Sequence, residues 1–244
     1  MTTTAVSEHY RTLLAPIYLW MMGGWDAALS RGEADVRTWG APRTSAAIAV
    51  DLGAGFGMHA IPLARAGWHV TAIDSSPHLL SELQRAAPDL RLSTVEADLL
   101  DFRAHALAGA ELIVCMGDTL TQLPDTASVS RLLRDVAQAL GPGGRFVATF
   151  RDYSAPPRGT SRFIPVRSDA DRIHTCLLET EGNRMMVTDV VHERKGDGWQ
   201  LRVSQYPKLR LAPEVVRSEL EGLGLTAVLR EGQGGMVRVE AHRP

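Results

Sequence analysis

Three glycines alternate in the stretch Val50-Asp51-Leu52-Gly53-Ala54-Gly55-Phe56-Gly57. An apolar run, residues 46–50, precedes them, and a helical pattern begins near Met58. This order predicts a strand, a tight glycine turn and the start of a helix. Such a turn lets the backbone approach a ligand, because glycine has no Cβ, and it aims backbone N–H groups at that ligand. The stretch predicts a cradle for a nucleotide-like small molecule, although glycine turns also close ordinary strand-to-helix connections.

Polar residues follow the next three predicted strands, which are residues 68–73, 90–95 and 111–115. The first of these ends in Asp74, where a carboxylate can accept hydrogen bonds from both ribose hydroxyls of an adenosine. The other two are followed by Glu96-Ala97-Asp98 and by Met116-Gly117-Asp118. Parallel strands bring their carboxyl ends to one edge of a sheet, where ligands bind in open α/β folds. We therefore expect a ligand site at that edge.

The order of these motifs resembles that of class I S-adenosylmethionine-dependent methyltransferases. The matching segments are residues 51–57, Ile73-Asp74, Ala97-Asp98 and Leu140-Gly141-Pro142-Gly143-Gly144-Arg145. The resemblance implies a Rossmann-like α/β fold with a seven-stranded sheet, S-adenosyl-L-methionine as the cofactor, and methyl transfer as the activity. A nicotinamide-dependent dehydrogenase is the nearest competitor, but its fingerprint is G-x-G-x-x-G, and here the third glycine comes one position early.

A narrower resemblance points to glycine N-methyltransferase and its small-molecule relatives. It rests on residues 114–125 and on Phe150-Arg151-Asp152-Tyr153. In that group a Cys-Leu-Gly-Asn-Ser-like run follows strand four, and an Arg-Asn-Tyr-like run follows strand five. The chain departs from the group by having Asp118 where asparagine is usual and Gln122 where histidine is common. The acceptor therefore need not be glycine.

The resemblance also implies which residues hold the cofactor. The candidates are Tyr18, Asp51, Gly53, Ala54, Gly55, Gly57, Asp74, Ser75, Ala97, Asp98, Leu99 and Met116. The glycine loop would wall the methionine carboxylate and the ribose, with Asp51 below it, while Asp74 would bind the ribose. Asp98 would accept a hydrogen bond from the adenine amino group between Ala97 and Leu99, or it could simply cap the turn that begins at Leu99.

Methyl transfer from a sulfonium is an in-line displacement in which the cofactor brings the reactive group. Alignment supplies much of the rate, so we look for positioning groups. The candidate catalytic residues are Asp118, Arg151 and Tyr206. Asp118 could hold a cationic amine or accept a proton, or it could cap a turn through Thr119. In the glycine N-methyltransferase group the arginine matching Arg151 grips the acceptor carboxylate, which suits a guanidinium fork; a surface ion pair with Asp152 or Asp125 is the alternative.

Two regions flank the predicted core. Residues 1–45 read as a helical lid, with an apolar stripe that places Tyr10 or Tyr18 against the methionine part of the cofactor or simply packs in the core. Residues 46–150 and 212–244 form the core, which closes with an antiparallel hairpin that a parallel dehydrogenase sheet would lack. Residues 151–211 contain three alternating runs between glycine turns, which predicts a small three-stranded antiparallel cap inserted after strand five.

The cap carries eleven Lys and Arg against eight Asp and Glu, in a chain of net charge -2. It is a candidate binding site for an acceptor, or else a solvated outer face. The net charge argues against a nucleic-acid surface, and no window reaches the roughly 20 apolar residues of a membrane span. The two cysteines, Cys115 and Cys176, lack C-x-x-C spacing and the histidines lack an i, i+4 pair, so we expect neither disulfide nor metal.

Together these features predict a cytoplasmic enzyme that methylates a small polar molecule with S-adenosyl-L-methionine. An amine nitrogen on an acceptor that carries an acidic group is the preferred target, and a hydroxyl or carboxylate oxygen is the runner-up. A related fold that binds the cofactor without methylating, and a cofactor-sensing module, are the alternatives from other classes. The sequence leaves the acceptor and the oligomeric state undetermined.

Overall fold

The computed structural model describes residues 5–106, 108–155 and 157–244, and these form two β-sheets with helices around the larger one. In chain order the strands are β1 (Ile48–Leu52), β2 (His69–Asp74), β3 (Leu92–Glu96), β4 (Ala110–Cys115), β5 (Leu140–Phe150), β6 (Phe163–Ser168), β7 (Arg172–Glu181), β8 (Arg184–Lys195), β9 (Gly198–Leu209), β10 (Thr226–Glu231) and β11 (Val237–His242). The α-helices are α1 (Ala5–His9), α2 (Tyr18–Met21), α3 (Trp25–Trp39), α4 (Ala60–Arg65), α5 (Pro77–Ala86), α6 (Thr126–Ala139) and α7 (Pro213–Gly222).

The larger sheet has the strand order β10-β11-β5-β4-β1-β2-β3. Strand β11 runs antiparallel to both β5 and β10, while β1 to β5 pair in parallel. Clusters of buried apolar side chains lie on both faces, as expected for parallel strands that helices cover on each side. The seven-stranded sheet with an antiparallel C-terminal hairpin confirms the predicted fold class.

The register of the parallel strands gathers the predicted site at one edge. Asp74 at the end of β2 pairs with Glu96 at the end of β3, and Cys115 at the end of β4 pairs with Ala148 in β5. The loops that follow β1, β2, β3 and β4 therefore lie side by side. This places the glycine loop, Asp74, Asp98 and Met116 along the same carboxyl edge.

The smaller sheet, the cap, is antiparallel with the order β6-β7-β8-β9. Three of its strands match the predicted alternating runs, but β6 is an additional strand that the sequence pattern did not indicate. Its register shifts between Pro165 and Arg167, because proline has no N–H for the ladder and is confined to edge strands. That interruption hides the alternation. The division into lid, core and cap stays an interpretation of this arrangement.

The N-terminal region is helical but broken. Between α1 and α2 the backbone passes through a π turn, Tyr10–Leu14, and a 3₁₀ turn, Ala15–Ile17. Pro16 explains the break, since it cannot donate to an α-helical ladder. Helix α1 packs against β9 of the cap, and the following turns reach the glycine loop. No helix in the described ranges is both long and apolar enough to cross a membrane.

Candidate functional site

The glycine loop after β1 needs its glycines for two different reasons. Gly53, Gly55 and Gly57 have φ values of 77°, 54° and 94°, which side chains disfavour. A Cβ at Gly53 would lie 2.7 Å from Cγ2 of Thr119, and one at Gly57 would lie 2.3 Å from Cδ1 of Leu83. The nearest atom to a Cβ at Gly55 is 3.9 Å away. Packing requires two of the glycines, while Gly55 leaves open space.

Backbone N–H groups of the loop are used within the protein. Those of Gly53 and Ala54 both donate to the carbonyl of Ile73, at 2.8 and 3.1 Å, and that of Gly57 donates to Ala54, at 2.9 Å. The N–H of Gly55 donates to Oδ2 of Asp74, at 2.8 Å. These four N–H groups therefore have partners within the protein, and ligand binding by the loop stays a prediction. At Gly55 the loop also offers a close approach without a side chain.

Asp74 fixes the shape of this edge. Its second oxygen, Oδ1, accepts from the N–H of Ser76 at 2.8 Å, so the carboxylate ties the start of α5 to the glycine loop. Burial raises the pKa of Asp74 above its ordinary value, against the lowering effect of hydrogen bonds from the backbone of Ser76, Gly55 and Ser75. Ser75, between Asp74 and Ser76, is exposed. Asp74 stands where a ribose clamp is predicted, and the loop geometry depends on it.

Asp51 is a buried carboxyl group within β1. Only 1% of the residue is exposed, and its Oδ2 has no hydrogen-bond partner in the described part of the chain. Burial raises its pKa to about 6; nearby His59 lowers it and Asp74 raises it further. A buried polar atom without a partner is costly. Asp51 therefore suits a ligand that brings a hydrogen-bond donor or a positive charge.

The segment after β3 shows the alternative that the sequence left open for Asp98. Its Oδ1 accepts from the N–H of Leu100 at 2.9 Å and caps the 3₁₀ turn Leu99–Ala104. The residue is exposed, Leu99 is half-buried, and Ala97 is buried beside Asp74, to whose carbonyl its N–H donates at 3.1 Å. The capping role is observed, and adenine binding stays a prediction.

A row of aromatic side chains leads from the glycine loop to the loop after β4. Tyr18 packs edge-on against Phe56 of the glycine loop, with ring centroids 5.9 Å apart, and Tyr10 lies 6.0 Å from Tyr18. The Tyr10 hydroxyl accepts from Nε2 of Gln122 at 2.9 Å. Burial raises the pKa of both tyrosines, so their hydroxyls stay neutral. The lid thus reaches the cofactor loop through Tyr18 and the β4 loop through Tyr10.

The structure gives Asp118 a partner that the sequence did not indicate. Its carboxylate pairs with the ammonium of Lys208 from β9, and both residues are buried. Its Oδ1 also accepts from the N–H of Arg151 at 2.9 Å and from the Thr121 hydroxyl at 3.0 Å. Asp118 is the one described non-glycine residue with positive φ, 78°. Lys208 therefore binds the carboxylate that was predicted to face an acceptor amine. Met116, two residues before Asp118 in sequence, is buried.

Lys208 lies 90 residues from Asp118 in sequence. Burial alone would lower the pKa of Lys208, but the charge of Asp118 raises it above its ordinary value. Sequence reasoning missed this pair, and the basic surplus of the cap was its one indirect signal. The ion pair connects the loop after β4 with strand β9 of the cap.

The Arg151 side chain bonds a backbone carbonyl and neither of the two carboxylates that were considered as its partners. Nη1 donates to the carbonyl of Gly234 at 3.0 Å, in the turn between β10 and β11. The two carboxylates considered as partners cap local turns instead: Asp125 accepts from Ser128 and Asp152 from Ser154. The bond to Gly234 occupies one of five guanidinium N–H donors. Acceptor recognition by Arg151 stays a prediction.

Tyr206, the third catalytic candidate, lies on the inner face of the cap. Its ring stacks on His9 with centroids 4.2 Å apart, and Nζ of Lys208 lies 5.5 Å from its centroid. Burial raises its pKa well above the usual value. Buried Tyr153, which the candidate set omitted, packs beside it, and burial raises the pKa of that hydroxyl to about 12. This part of the cap therefore buries neutral aromatic groups and one paired lysine.

Comparison with known proteins agrees with this geometry. Residues 49–144 match the sequence model of a family described as "Methyltransferase domain". Cypemycin N-terminal methyltransferase of a Streptomyces species is 29% identical over 53% of this chain and 57% of its own length. Ubiquinone biosynthesis O-methyltransferase of Xylella fastidiosa is 32% identical over 59% of this chain. That match spans 61% of the relative, so this chain covers under two thirds of either protein.

Solved structures extend the likeness over most of the fold. The CcbJ methyltransferase from Streptomyces caelestis superposes with a TM-score of 0.76 at 19% identity, covering 96% of this chain and 97% of that one. CalS10, an amino pentose methyltransferase from Micromonospora echinaspora, gives a TM-score of 0.70 at 18% identity, covering 88% and 90%. The resemblance to glycine N-methyltransferase stays a prediction. Residues 49–144 are similar to a methyltransferase domain, and the chain has the Rossmann-like fold of the solved methyltransferases.

Proposed function

We propose that the chain transfers the methyl group of S-adenosyl-L-methionine to an amine nitrogen of a small polar molecule. The observation that carries this proposal is the Tyr10 to Gln122 hydrogen bond. It joins the lid to the loop that follows β4, at the end of an aromatic row that starts on the glycine loop. Neutral hydrogen-bonding groups therefore stand beside the cofactor edge, where an uncharged amine can be held.

The residues of the cofactor edge fit the amino-acid part and the ribose of this cofactor. The orphaned Oδ2 of Asp51 would accept from an ammonium group, which would also favour the ionised carboxylate. Asp74 has lone pairs beyond the two that Gly55 and Ser76 use, and these would bind ribose hydroxyls. Open space at Gly55 admits the ligand against the backbone.

Bound cofactor would supply an electrophilic methyl group on a sulfonium. The protein then has to align the acceptor and exclude water. Gln122 donates its Nε2 to Tyr10, so its Oε1 remains the acceptor that can take an N–H of the incoming amine. That contact directs the nitrogen lone pair away from Gln122. Tyr18 and Phe56, which pack against each other, would cover the site. The amine proton leaves only after transfer, so no strong base is needed.

The relatives support an amine acceptor without fixing it. One is named as an N-terminal methyltransferase and one similar structure as an amino pentose methyltransferase. An oxygen acceptor is the second candidate, because a relative with 32% identity is named as an O-methyltransferase. The two candidates differ in the atom that must be held beside Gln122.

The test compares two acceptors on one scaffold, an amino sugar and the sugar with a hydroxyl at the same carbon. Release of S-adenosylhomocysteine and the product mass are measured. We expect the amine to react with a kcat/KM at least about 100-fold above that of the hydroxyl, since a neutral amine is nucleophilic without a base, whereas a hydroxyl needs a group that takes its proton. Preference for the hydroxyl would support the oxygen candidate. Cofactor binding without release in any acceptor pool would favour the non-methylating or sensing alternatives.

Gln122→Leu tests the alignment role. We expect kcat/KM for the amine to fall about 10- to 100-fold, because misplacement of a reactant costs up to that much, with cofactor affinity unchanged. Gln205→Leu is the matched control, since this exposed glutamine bonds Thr188 on the cap. Equal losses in the two variants would contradict the assignment.

An acidic group on the acceptor is the finer part of the proposal. Arg151 ends β5 at the same edge, and the remaining donors of its guanidinium would bind a carboxylate bidentately. Arg151→Met should reduce kcat/KM for an acidic acceptor by 10-fold or more and leave its neutral amide unaffected. Equal effects on both acceptors would make Arg151 a structural residue of the Gly234 turn.

A further inference from the structure

Three side chains with metal-binding atoms converge on the inner face of the cap. They are His174 and Cys176 of β7 and Asp189 of β8, and their ligand atoms all lie within 4.8 Å of one another. Nε2 of His174 and Sγ of Cys176 are each 2.7 Å from Oδ1 of Asp189 and 3.8 Å from one another. The register explains the cluster, because Cys176 pairs directly with Asp189 across the two strands.

A fourth polar residue holds the cluster from the lid. Nε2 of His9 lies 2.8 Å from Oδ2 of Asp189, and Nδ1 of His9 lies 2.7 Å from the Ser204 hydroxyl. His9, His174 and Asp189 are each 1% exposed, and Cys176 is half-buried. His9 and Asp189 are 180 residues apart in sequence. The contact therefore depends on the lid packing onto the cap.

Hydrogen bonding alone leaves a feature of this cluster unexplained. The sulfur–oxygen contact of 2.7 Å is as short as an ordinary O–H···O bond, although sulfur is a weak donor. A bound cation would account for the convergence of the three ligand atoms.

We propose that His174 Nε2, Cys176 Sγ and the Asp189 carboxylate bind one Zn²⁺ ion. Nitrogen, thiolate and carboxylate ligands are those that zinc takes in tetrahedral sites. Tetrahedral zinc places a sulfur and a nitrogen ligand about 3.6 Å apart by its usual bond lengths, close to the 3.8 Å between Sγ and Nε2. The carboxylate would move outward by less than about 1 Å to give the same spacing.

His9 acts in this site as the group that orients the carboxylate, and water completes the coordination. Outer partners of this kind fix the geometry of metal ligands. Binding displaces the proton of the Cys176 thiol, so the ion, thiolate and carboxylate together are neutral. Zinc bound to Asp189 would therefore strengthen the contact between the lid and the cap through His9, whose ring also stacks on Tyr206 at 4.2 Å.

The site is tested by metal binding, which does not depend on the proposed function. The full-length protein is purified from zinc-supplemented medium for elemental analysis, then treated with chelator and titrated with Co²⁺. We expect one equivalent of zinc and, with Co²⁺, a thiolate-to-cobalt charge-transfer band in the near ultraviolet. Cys176→Ser should abolish the band. Cys115→Ala is the matched control, since Cys115 is buried in β4 of the other sheet, and it should keep the band.

His9→Gln should keep the band but weaken Co²⁺ affinity about 10- to 100-fold, as expected for loss of an outer partner. Wild-type protein without bound zinc and without a charge-transfer band would overturn the proposal and leave a hydrogen-bonded polar cluster. A band that survives in folded Cys176→Ser would also overturn it. If Cys176→Ser does not fold, His174→Gln with the same Co²⁺ spectrum, whose intensity should drop, decides between these outcomes.

Discussion

The cofactor edge of the core sheet and the inner face of the cap are built in different ways. At the cofactor edge, each polar group comes from the end of a strand and its partners are nearby in sequence: Asp74 binds Ser76 two residues away and Gly55 19 residues away. At the inner face of the cap, Lys208 pairs with Asp118 of the core across 90 residues and Asp189 with His9 of the lid across 180. Local turns determine the first site, whereas packing of separate regions determines the second.

This difference predicts where substitutions act. Changes at the cofactor edge should alter one loop and its ligand, while changes at the cap contacts should loosen the joint between whole regions. Three predictions examine the contrast, beginning with the joint between core and cap.

Lys208→Met should destabilise the protein by about 3 to 5 kcal/mol, because it leaves a buried carboxylate without its cation. Adding Asp118→Asn to it should restore most of the loss, since asparagine keeps the contacts to Arg151 and Thr121 and tolerates positive φ. Urea unfolding near neutral pH measures each variant and their coupling. Glu111→Gln is the control, because it removes an ion pair with the exposed Arg43 and should cost less than about 1 kcal/mol.

Additive effects of Lys208→Met and Asp118→Asn would show that the pair does not join core to cap. The contrast between the cofactor edge and the cap would then lose its main support. Apolar packing alone would have to hold the cap on the core.

Gly57→Ala should cost about 3 kcal/mol, since the new Cβ would meet Leu83 at 2.3 Å with φ at 94°. Gly55→Ala should cost only about 1 kcal/mol, because φ is 54° and no atom lies within 3.9 Å. It should nevertheless weaken S-adenosylhomocysteine binding more than ten-fold, by filling the space that the ligand needs. Thermal unfolding measures the stability of each variant, and calorimetric titration measures its affinity for S-adenosylhomocysteine. Full affinity in Gly55→Ala would place the ligand elsewhere.

The smallest expected effect is a pH dependence of the free energy of unfolding, which arises from the titration of Asp51. Its pKa is raised from 3.8 to about 6, so the folded state holds a proton that the unfolded state has lost between these values. The resulting stability is present at low pH and lost as the pH rises through about 6. Asp51→Asn should therefore gain about 2 kcal/mol relative to wild type between pH 4 and 8.

Denaturation curves at several pH values check this change, with Asp89→Asn as the control because Asp89 is exposed. A pH dependence that Asp51→Asn leaves intact would assign the titration to another group. With cofactor bound, the same dependence should shrink, since an ammonium beside Asp51 favours its ionised form.

The sequence by itself determined the larger sheet and the places of its ligand groups. Apolar runs that end in glycine or a carboxylate predict strand tips, and the C-terminal pair of strands predicts an antiparallel closure; Asp51, Asp74 and the glycine loop lie where those patterns put them. These features are local, because they follow from backbone freedom at glycine and from side-chain alternation within one segment.

Only the tertiary structure decided what the candidate groups bind. In the folded chain, N–H groups of the glycine loop donate to Ile73 and Asp74. Asp118 forms an ion pair with Lys208, and Arg151 donates to the carbonyl of Gly234. Tertiary packing also brings His9 against Asp189. Strand register and the seating of the lid set these partners, and a shift of one residue would turn every side chain of a strand to the other face. No pattern within a single segment contains that information.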